Sequence, residues 1–235
     1  MAGYPVLQIS CLTRTVSKPR WSGSAAVASA QGVAVLGGRM TVLTGPPGIG
    51  TSEILRTVHN AHVGGTGRLV YRGRSGQKVQ LCDLSDEARR NLREREFGFA
   101  GRLRPIPANL TPLDYVVGEV IRSGAQLEEA RRRAHVALTR FGFDPARQGR
   151  PAGTLDPDES QRIDLAGALA KRPRLLLLDE PTRELAAEFR AVLADELRQL
   201  KRFGAAILAA CRDASLTATL ADEVIYLPAR ANAIA

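Results

Sequence analysis

The sequence predicts an α/β fold with a largely parallel β-sheet, and three observations support this prediction. A short β-prone run, Arg39–Thr44, leads into a glycine-rich loop, and helical spacing of apolar residues resumes over residues 51–59. The four leucines of Leu175–Leu178 lie between Pro173 and Asp179, as is typical of a strand buried on both faces. Strands alternate with helices towards both ends of the chain, with a helical insert between them, and this order favours parallel pairing.

The first hundred residues predict strands, a hairpin and two helices. Mixed alternation over Val6–Val16 indicates one or two edge strands, and a segment of small residues follows over Trp21–Gly32. After the helix that follows the loop, residues 64–82 alternate weakly and contain glycines, which suggests a hairpin. Leu84–Arg95 is charged and helical, with Ser85 as its expected N-cap.

Helices dominate the middle of the chain, and strands return after it. Helical spacing predicts three helices, at Leu113–Arg122, Leu127–Phe141 and Asp158–Ala170. A long helix is expected at Arg183–Arg202, and two further buried strands are expected at Ala205–Ala210 and Glu223–Leu227.

The composition is that of an ordinary globular chain with an unusual basic content. The 235 residues are 44% hydrophobic and 24% charged, which excludes a disordered tail and a fibrous repeat. The formal net charge is +9, and 29 of the 33 basic residues are arginine. A basic chain raises the hypothesis of nucleic-acid binding. The run Arg131–Arg133 has no interleaved aromatic residues for base stacking, so we expect no direct contact with nucleic acid.

Cysteines and apolar runs favour a reducing, cytoplasmic setting. Cys11, Cys82 and Cys211 are widely spaced and odd in number, which argues against a disulfide framework. The first ten residues lack the pattern of a signal peptide. The longest apolar run, Ala205–Cys211, is far shorter than the roughly 20 residues that span a membrane. We therefore expect a cytoplasmic protein without direct membrane insertion, peripheral at the inner face of the plasma membrane only through a partner.

The glycine-rich loop has the composition of a phosphate-binding loop. Its residues are Gly45, Pro46, Pro47, Gly48, Ile49, Gly50, Thr51 and Ser52. Backbone N–H groups of such a loop and the N-terminus of the following helix together attract phosphate. Both glycines and the serine of the pattern GxxxxGK[ST] are present, whereas Thr51 occupies the position of the lysine.

Two carboxylates follow the leucine strand. An aspartate at a strand end, here Asp179, can hold a magnesium ion through water. The next residue, Glu180, is of the type that polarises an attacking water as a general base. Together with a phosphate loop about 130 residues upstream, the pair predicts a nucleotide site.

The sequence LLLLDEPT of Leu175–Thr182 resembles the Walker B strand of ATP-binding-cassette (ABC) nucleotide-binding domains, and the resemblance covers nearly the whole chain. Residues 159–170 resemble the family's EQQRVAIARALA helix. Residues 97–99 with 110–116 resemble the neighbourhood of its Q-loop, and residues 206–225 resemble its final strand, switch and closing strand.

Two subgroups of the family share further features with the chain. Residues 84–95 resemble the lipoprotein-release and macrolide-export type ATPases. Residues 103–107 and 204–207 resemble the ABC subunit of bacterial carbon–phosphorus lyase systems.

The resemblance implies a P-loop NTPase core of ABC type with a largely parallel sheet, an antiparallel N-terminal β region and a helical subdomain. Residues 1–235 then form one nucleotide-binding domain, with 1–96 and 171–235 in the α/β core and 97–170 in the helical subdomain with the Q-loop and signature region. It also implies ATP and Mg²⁺ as ligands, with Ser52 and Asp179 on the metal. Trp21 lies where the family places an adenine-stacking aromatic residue, and a partly buried surface tryptophan is the alternative.

Several positions depart from the family pattern. Thr51 replaces the lysine that contacts phosphate, and Arg102 replaces the Q-loop glutamine, a metal ligand. Arg212 stands at the position of the switch histidine, and the D-loop reads Arg183–Ala186 instead of SALD. Two explanations remain open for the two arginines at these positions: compensation for the lost lysine charge, or drift in an arginine-rich chain.

The signature LSGGQ is the most altered motif. It reads Leu155, Asp156, Pro157, Asp158 and Glu159. In an ABC dimer, each ATP lies between the Walker motifs of one subunit and the signature loop of the other. We therefore expect Asp156 and Asp158 to repel a triphosphate, by roughly 3 kcal/mol for each unit-charge pair about 5 Å apart at an effective dielectric constant near 20.

These departures leave three hypotheses. In the first, the chain is a weakly active or non-hydrolytic nucleotide-binding half of a multisubunit complex, a transporter or a carbon–phosphorus lyase-like assembly. Its partners are then another ABC subunit, in a heterodimer rather than a homodimer, and a membrane permease or enzyme-complex subunits, and it binds ATP and Mg²⁺ weakly or not at all. In the second, it is a slow but genuine ATPase that powers a membrane transporter, with Glu180 as general base. In the third, it is a nucleic-acid-associated ABC protein.

Overall fold

The computed structural model describes residues 4–10, 12–17, 24–30, 32–60, 67–101 and 106–228. Two residues named in the sequence analysis, Trp21 and Arg102, lie outside these ranges.

The structure contains eleven strands and eight α-helices within the described residues. The strands are β1 (Pro5–Ser10), β2 (Leu12–Ser17), β3 (Ser24–Ala30), β4 (Val33–Leu36), β5 (Met40–Thr44), β6 (Arg68–Arg72), β7 (Lys78–Gln80), β8 (Phe97–Ala100), β9 (Leu175–Asp179), β10 (Ala206–Ala210) and β11 (Glu223–Tyr226). The helices are α1 (Thr51–Asn60), α2 (Asp86–Glu96), α3 (Pro112–Arg122), α4 (Leu127–Arg140), α5 (Pro145–Gln148), α6 (Pro157–Ala170), α7 (Ala187–Arg202) and α8 (Ala214–Leu220).

A five-stranded parallel sheet forms the centre of the fold, in the order β11-β5-β10-β9-β8. The register aligns Ala210 at the end of β10 with Leu43 of β5 on one side and with Asp179 of β9 on the other. Because parallel strands end at the same edge of a sheet, the loop after β5 and the carboxylates after β9 lie at one edge, where open α/β sheets bind ligands. The predicted parallel α/β fold is thus confirmed.

The core fills both faces of this sheet, as the leucine run predicts. Leu176 and Leu178 pack among the helices α3, α4, α6 and α7 on one face. Leu175 and Leu177 pack against α1 and the antiparallel strands on the other face. All four leucines are 0% exposed, so β9 is held rigidly from both sides.

The antiparallel N-terminal region contains a four-stranded sheet in the order β4-β1-β6-β7 and a two-stranded sheet of β2 and β3. The predicted hairpin is present as β6 and β7. The prediction of an edge strand is wrong for β1, which pairs with β4 on one side and β6 on the other. Its residues Leu7 and Ile9 are buried in the core that covers this sheet.

The helical part packs α3, α4 and α6 around a cluster that includes Ala134, Leu138 and Ile163. The expected N-cap of α2 is present, since the Ser85 hydroxyl accepts a hydrogen bond from the Ala88 N–H at 3.2 Å. Within the described residues, no helix combines the length and the apolar composition that crossing a membrane requires.

Two boundaries and the burial of one strand differ from the sequence predictions. The strand Phe97–Ala100 pairs with β9 in the parallel sheet, although the domain division assigns it to the helical subdomain. The long helix begins at Ala187 rather than at residue 183, because residues 180–186 form a turn. The last strand is exposed rather than buried, since β11 is an edge strand, with Tyr226 63% exposed.

Candidate nucleotide-binding site

The loop between β5 and α1 requires its glycines. Gly48 and Gly50 have φ angles of 82° and 95°, in the left-handed region that favours glycine. A Cβ atom at Gly45 would lie 2.6 Å from the carbonyl oxygen of Leu227, so no larger residue fits there. The backbone thus makes the tight turn between strand and helix that a phosphate loop needs.

The same loop offers few donors to a phosphate. Pro46 and Pro47 have no N–H group. The Ile49 N–H donates to the Pro46 carbonyl oxygen at 3.1 Å. Three of the six residues 45–50 therefore present no unengaged N–H, and Thr51 supplies a neutral hydroxyl where the resemblance implies a cationic lysine.

Ser52 and Asp179 meet across the edge of the sheet. The Ser52 hydroxyl donates to Asp179 Oδ1 at 2.6 Å, and the Asp179 side chain is only 6% exposed. A hydroxyl and a carboxylate are oxygen ligands of the kind that magnesium takes beside nucleotide phosphates, so the donor set fits this ion. Arg56, one turn after Ser52 on the same face of α1, places Nη2 3.6 Å from Asp179 Oδ2. A magnesium ion held by Asp179 would therefore have the Arg56 guanidinium near the same carboxylate.

Glu53 is a site residue that the motif comparison misses. It lies in the first turn of α1 and pairs with Arg56 Nη1 at 2.7 Å. A carboxylate is stabilised at a helix N-terminus for the same reason that a phosphate is. Glu53 therefore places a carboxylate, paired with Arg56, at the helix N-terminus where a phosphate would otherwise be favoured. Its acidic type at the third position of the helix is visible in the sequence.

Glu180 is held on its backbone and on its side chain. Its φ of 50° is left-handed, a conformation that costs a non-glycine residue on the order of 1–3 kcal/mol. Its carbonyl oxygen accepts a hydrogen bond from Gln161 Nε2 at 3.0 Å. Its carboxylate accepts from the Arg212 N–H at 3.3 Å, and Arg212 Nε lies 3.6 Å from the other oxygen. Glu180, the candidate general base, and Arg212, at the switch position, therefore form an ion pair.

The switch region continues from β10 into α8. Burial raises the pKa of the Cys211 thiol to about 11, so this thiol stays protonated near neutral pH. Asp213 caps α8 by accepting from the Leu216 N–H at 3.0 Å, and this bond lowers the pKa of its carboxyl. Arg212, between them, is 61% exposed. The cation next to Glu180 is thus open to solvent and to partners.

The start of the signature region is a helix cap. Asp156 accepts a hydrogen bond from the Glu159 N–H at 2.7 Å, Glu159 accepts one from the Asp156 N–H at 3.2 Å, and Pro157 fills the first helical position of α6. This is a capping box. Arg147 binds both oxygens of Glu159, at 2.8 and 2.7 Å, and holds the pKa of that carboxyl below its usual range.

The second signature aspartate is also bound within the chain. Asp158 accepts a hydrogen bond from the Ala186 N–H at 2.8 Å, and its other oxygen pairs with Arg162 at 2.7 Å. Leu155 packs against the helical core. Both aspartates are therefore engaged within the chain, and their expected repulsion of a triphosphate stays a prediction. Both carboxylates accept hydrogen bonds from this chain's own backbone, a geometry that motif comparison does not reveal.

Asp164 is a further acidic residue that sequence reasoning misses. It accepts hydrogen bonds from the Gly101 N–H at 2.7 Å and the Tyr115 hydroxyl at 3.4 Å. Desolvation raises the pKa of its carboxyl to about 7, although the bond from Gly101 opposes this change. The signal in the sequence is one acidic residue within the apolar and small residues of 163–170.

A cavity of about 680 Å³ joins these parts. Its lining includes Ser52, Asp179 and Glu180 from the sheet edge, and Pro157 and Gln161 from α6. The fold thus brings four predicted site residues, Ser52, Asp179, Glu180 and Arg212, to one edge of the sheet. The described residues contain no group of three or more His, Cys, Asp or Glu suited to hold a metal. A magnesium ion at Ser52 and Asp179 would need further oxygen ligands, such as those of a phosphate.

The chain is similar to known proteins over most of its length. The profile of the family described as "ABC transporter" matches residues 32–183. The lipoprotein-releasing system ATP-binding protein LolD of Cereibacter sphaeroides is 31% identical over 228 residues, covering 95% of this chain and 97% of the relative. The Fe(3+) ions import ATP-binding protein FbpC of Streptomyces coelicolor is 31% identical over 207 residues, covering 87% of this chain and 56% of the relative.

A solved structure shares the fold. The dimeric ATP-binding cassette MJ0796, in a post-hydrolysis state bound to ADP and Pi, superposes with a TM-score of 0.82. The match covers 94% of each chain at 22% sequence identity. Together with the family profile and the relatives, this shows that the chain belongs to the ABC transporter family and has the ABC ATPase cassette fold.

Proposed function

We propose that this chain is an ATP-binding subunit of an ABC transporter in which hydrolysis is weak or lost. In this role it binds nucleotide at the edge of the parallel sheet and pairs with a second, catalytically intact ABC subunit. The pair acts on a membrane permease at the inner face of the membrane. The relatives named for lipoprotein release support the export of lipoproteins as the process.

The observation that carries this proposal is the ion pair of Glu180 and Arg212. A general base must accept a proton from the attacking water. The Glu180 carboxylate is already engaged by a guanidinium at 3.6 Å and by a backbone N–H at 3.3 Å. Arginine at the switch position is permanently charged and cannot exchange a proton with water. Water activation at this site is therefore impaired.

Nucleotide binding depends on fewer groups than the family pattern supplies. The N-terminus of α1 and the amides of the loop glycines attract the phosphates, and Ser52 and Asp179 would hold Mg²⁺. The ion, when bound, neutralises phosphate charge. Thr51 removes one charge-assisted contact, worth about 1.5–3 kcal/mol. Because Glu53 also carries negative charge beside this site, we expect weak affinity.

An asymmetric pair with another ABC subunit follows from the signature region. Asp156 and Asp158 are used as helix and turn ligands within the chain. The signature of this chain therefore offers little to a nucleotide bound by a partner. In a heterodimer, the intact partner supplies an unaltered signature to the nucleotide held by this chain, whereas a nucleotide held by the partner meets the altered signature of this chain. A place in an enzyme complex of the carbon–phosphorus lyase type is a second setting for the same pair.

A slow but genuine ATPase is the second candidate. The hydrogen bond of 2.6 Å between Ser52 and Asp179 favours it, because two ligands of one metal ion must lie close together. In this case Glu180 acts as general base after Arg212 moves away, and the chain powers a membrane transporter directly.

Calorimetric titration with Mg-ATP, followed by phosphate release at saturating ATP, tests the proposal. We expect measurable binding and turnover at least about 100-fold below that of an intact ABC subunit assayed in parallel. Glu180→Gln should change this turnover little. Glu188→Gln, at an exposed position in the first turn of α7, is the matched control. A normal ABC rate that Glu180→Gln abolishes and Glu188→Gln preserves would overturn the proposal.

A further inference from the structure

The start of α6 is fastened to the turn of residues 180–186, which follows β9. The Ala186 N–H donates to Asp158 Oδ1 at 2.8 Å, and the Glu184 N–H donates to Gln161 Oε1 at 2.7 Å. Gln161 Nε2 donates in turn to the Glu180 carbonyl oxygen at 3.0 Å. We call these three hydrogen bonds the clasp. They join the signature region to Glu180, the candidate general base, and to the turn that follows it.

Asp158 is the member of the clasp that serves two helices. It lies in the first turn of α6, where a carboxylate is favoured by the helix dipole. It also binds the N–H of Ala186, the N-cap residue of α7, which has no side-chain cap of its own. One carboxylate therefore stabilises the beginnings of both helices.

Arg162 fixes the orientation of this carboxylate. Its Nε lies 2.7 Å from Asp158 Oδ2, and its Nη1 donates to the Phe141 carbonyl oxygen at 2.7 Å. Its guanidinium also lies between two aromatic rings, 4.8 Å from the centroid of Phe143 and 4.2 Å from that of Phe189. Asp158 is thus anchored by a side chain that is itself immobilised.

Gln161 holds both ends of the turn. It accepts from Glu184 and donates to Glu180, whose left-handed backbone needs support from its surroundings. The turn adds two internal hydrogen bonds, from the Arg183 N–H to the Glu180 carbonyl oxygen at 3.2 Å and from the Leu185 N–H to the Thr182 carbonyl oxygen at 3.3 Å. The clasp therefore fixes the turn as one unit on α6.

We propose that Asp158 is a positioning residue, which with Gln161 holds residues 180–186 in one arrangement whether or not nucleotide is bound. The aspartate stands where the signature pattern has a glycine, and a glycine has no side chain to bind Ala186. The substitution thus turns a ligand-binding loop into a fixed support for Glu180 and the adjacent turn. The part of this inference that concerns nucleotide rests on the proposed function, whereas the fastening of the turn does not.

Amide hydrogen exchange in the full-length protein tests the fastening. In Asp158→Ala, the Ala186 amide loses its charged acceptor and should exchange about tenfold to a hundredfold faster. The Glu184 amide, bound to Gln161, should also exchange faster because the turn is held less firmly. Asp158→Asn keeps an acceptor oxygen and should restore slow exchange to within a few-fold of the natural sequence.

Two controls accompany this experiment. Asp195→Ala, which removes an exposed carboxylate paired with Arg198, is the matched variant and should not change the exchange of either amide. The buried amides of Ala134 and Leu138 should be unaffected in all variants. Unchanged exchange at Glu184 and Ala186 in Asp158→Ala would overturn the inference.

Exchange of the Glu184 and Ala186 amides, measured with and without saturating Mg-ATP, tests whether the arrangement of residues 180–186 is independent of nucleotide. In the natural sequence, their exchange should change less than about twofold when ATP is added, whereas in Asp158→Ala it should respond. A tenfold response in the natural sequence would contradict the inference. Calorimetry on the same samples reports binding separately. Absence of binding counts against the proposed function, and the variants without nucleotide still decide whether the clasp exists.

Discussion

The edge of the parallel sheet and the start of α6 face the same cavity, but the two regions use their polar residues differently. At the sheet edge, Ser52 and Asp179 keep the residue types of a metal site and are bound to each other. At the start of α6, the signature residues are replaced by residues that cap helices, namely Asp156 and Glu159. One region has residue types suited to binding a metal ion, while the other has residues that form hydrogen bonds within the chain. An altered motif can therefore stabilise local structure, whatever its effect on function.

Breaking the capping box should give the largest effect on stability. Glu159→Ala removes the bidentate partner of Arg147 and one half of the box, and should lower the free energy of unfolding by about 2–3 kcal/mol. Urea unfolding measures this change. The exposed pair of Asp195 and Arg198 provides the control, and Arg198→Ala should cost less than about 0.5 kcal/mol. Equal losses in the two variants would show that the start of α6 is not a structural cap. Mg-ATP affinity should not change in Glu159→Ala.

The pH dependence of stability should be flatter in Asp164→Asn. The pKa of this carboxyl is raised from 3.8 to about 7 in the folded protein, so the folded state binds the proton more tightly than the unfolded state. The resulting stability is full below about pH 4 and is lost as the pH rises through 7. Between pH 5 and 8, unfolding free energy should fall by on the order of 2 kcal/mol more in the natural sequence than in the variant. Urea unfolding at four pH values measures this, and Asp195→Asn serves as control. Parallel curves would refute the prediction.

Introducing the family's lysine into the glycine-rich loop should improve Mg-ATP binding at the sheet edge without a matching gain in hydrolysis. Thr51→Lys adds a cation beside the phosphate position and should strengthen Mg-ATP binding about tenfold, with little change in turnover because Glu180 remains paired with Arg212. Calorimetry and phosphate release measure the two effects. Thr219→Lys, at an exposed position of α8, controls for the added charge. A gain in turnover as large as the gain in affinity would mean that the lysine alone limits hydrolysis.

Removing the Ser52 hydroxyl should have the smallest effect on stability and a selective effect on binding. Ser52→Ala loses one hydrogen bond to Asp179 and should cost about 1 kcal/mol of unfolding free energy. Ser52→Ala should also weaken Mg-ATP binding, whereas Glu159→Ala should leave Mg-ATP binding unchanged. Ser85→Ala removes the N-cap of α2, matches the stability cost and should not affect binding. If both serine variants reduced ATP binding equally, the sheet edge would have no specific role in it.

Sequence patterns captured the features that depend on local chemistry. The four leucines of β9 are buried on both faces as their run predicts, and Ser85 caps α2. Long-range contacts explain what the patterns missed. Residues 183–186 have helical composition, but they are held in a turn because Asp158 and Gln161 bind the backbone there from another helix.

In the candidate site, too, the sequence predicts residue types but not the long-range contacts that these residues make. The chemical types of Ser52, Asp179 and Glu180 can be read from motifs, and the parallel register brings them together. The role of Arg56 depends on how α1 packs against β9, and the direction of the Asp158 side chain depends on how α6 packs against α7. Neither follows from spacing along the chain. Motif comparison therefore predicts which residues meet at the sheet edge better than it predicts the contacts that the altered residues make.

Single-turnover hydrolysis tests the central claim most directly, since it separates binding from cleavage. Purified protein in excess over radiolabelled Mg-ATP binds the nucleotide, and quenched samples then report the fraction converted to ADP over time. An intact ABC subunit is measured in parallel. We expect bound ATP to remain uncleaved long after the intact subunit has converted its own. Cleavage of bound ATP at the rate of the intact subunit would contradict the account.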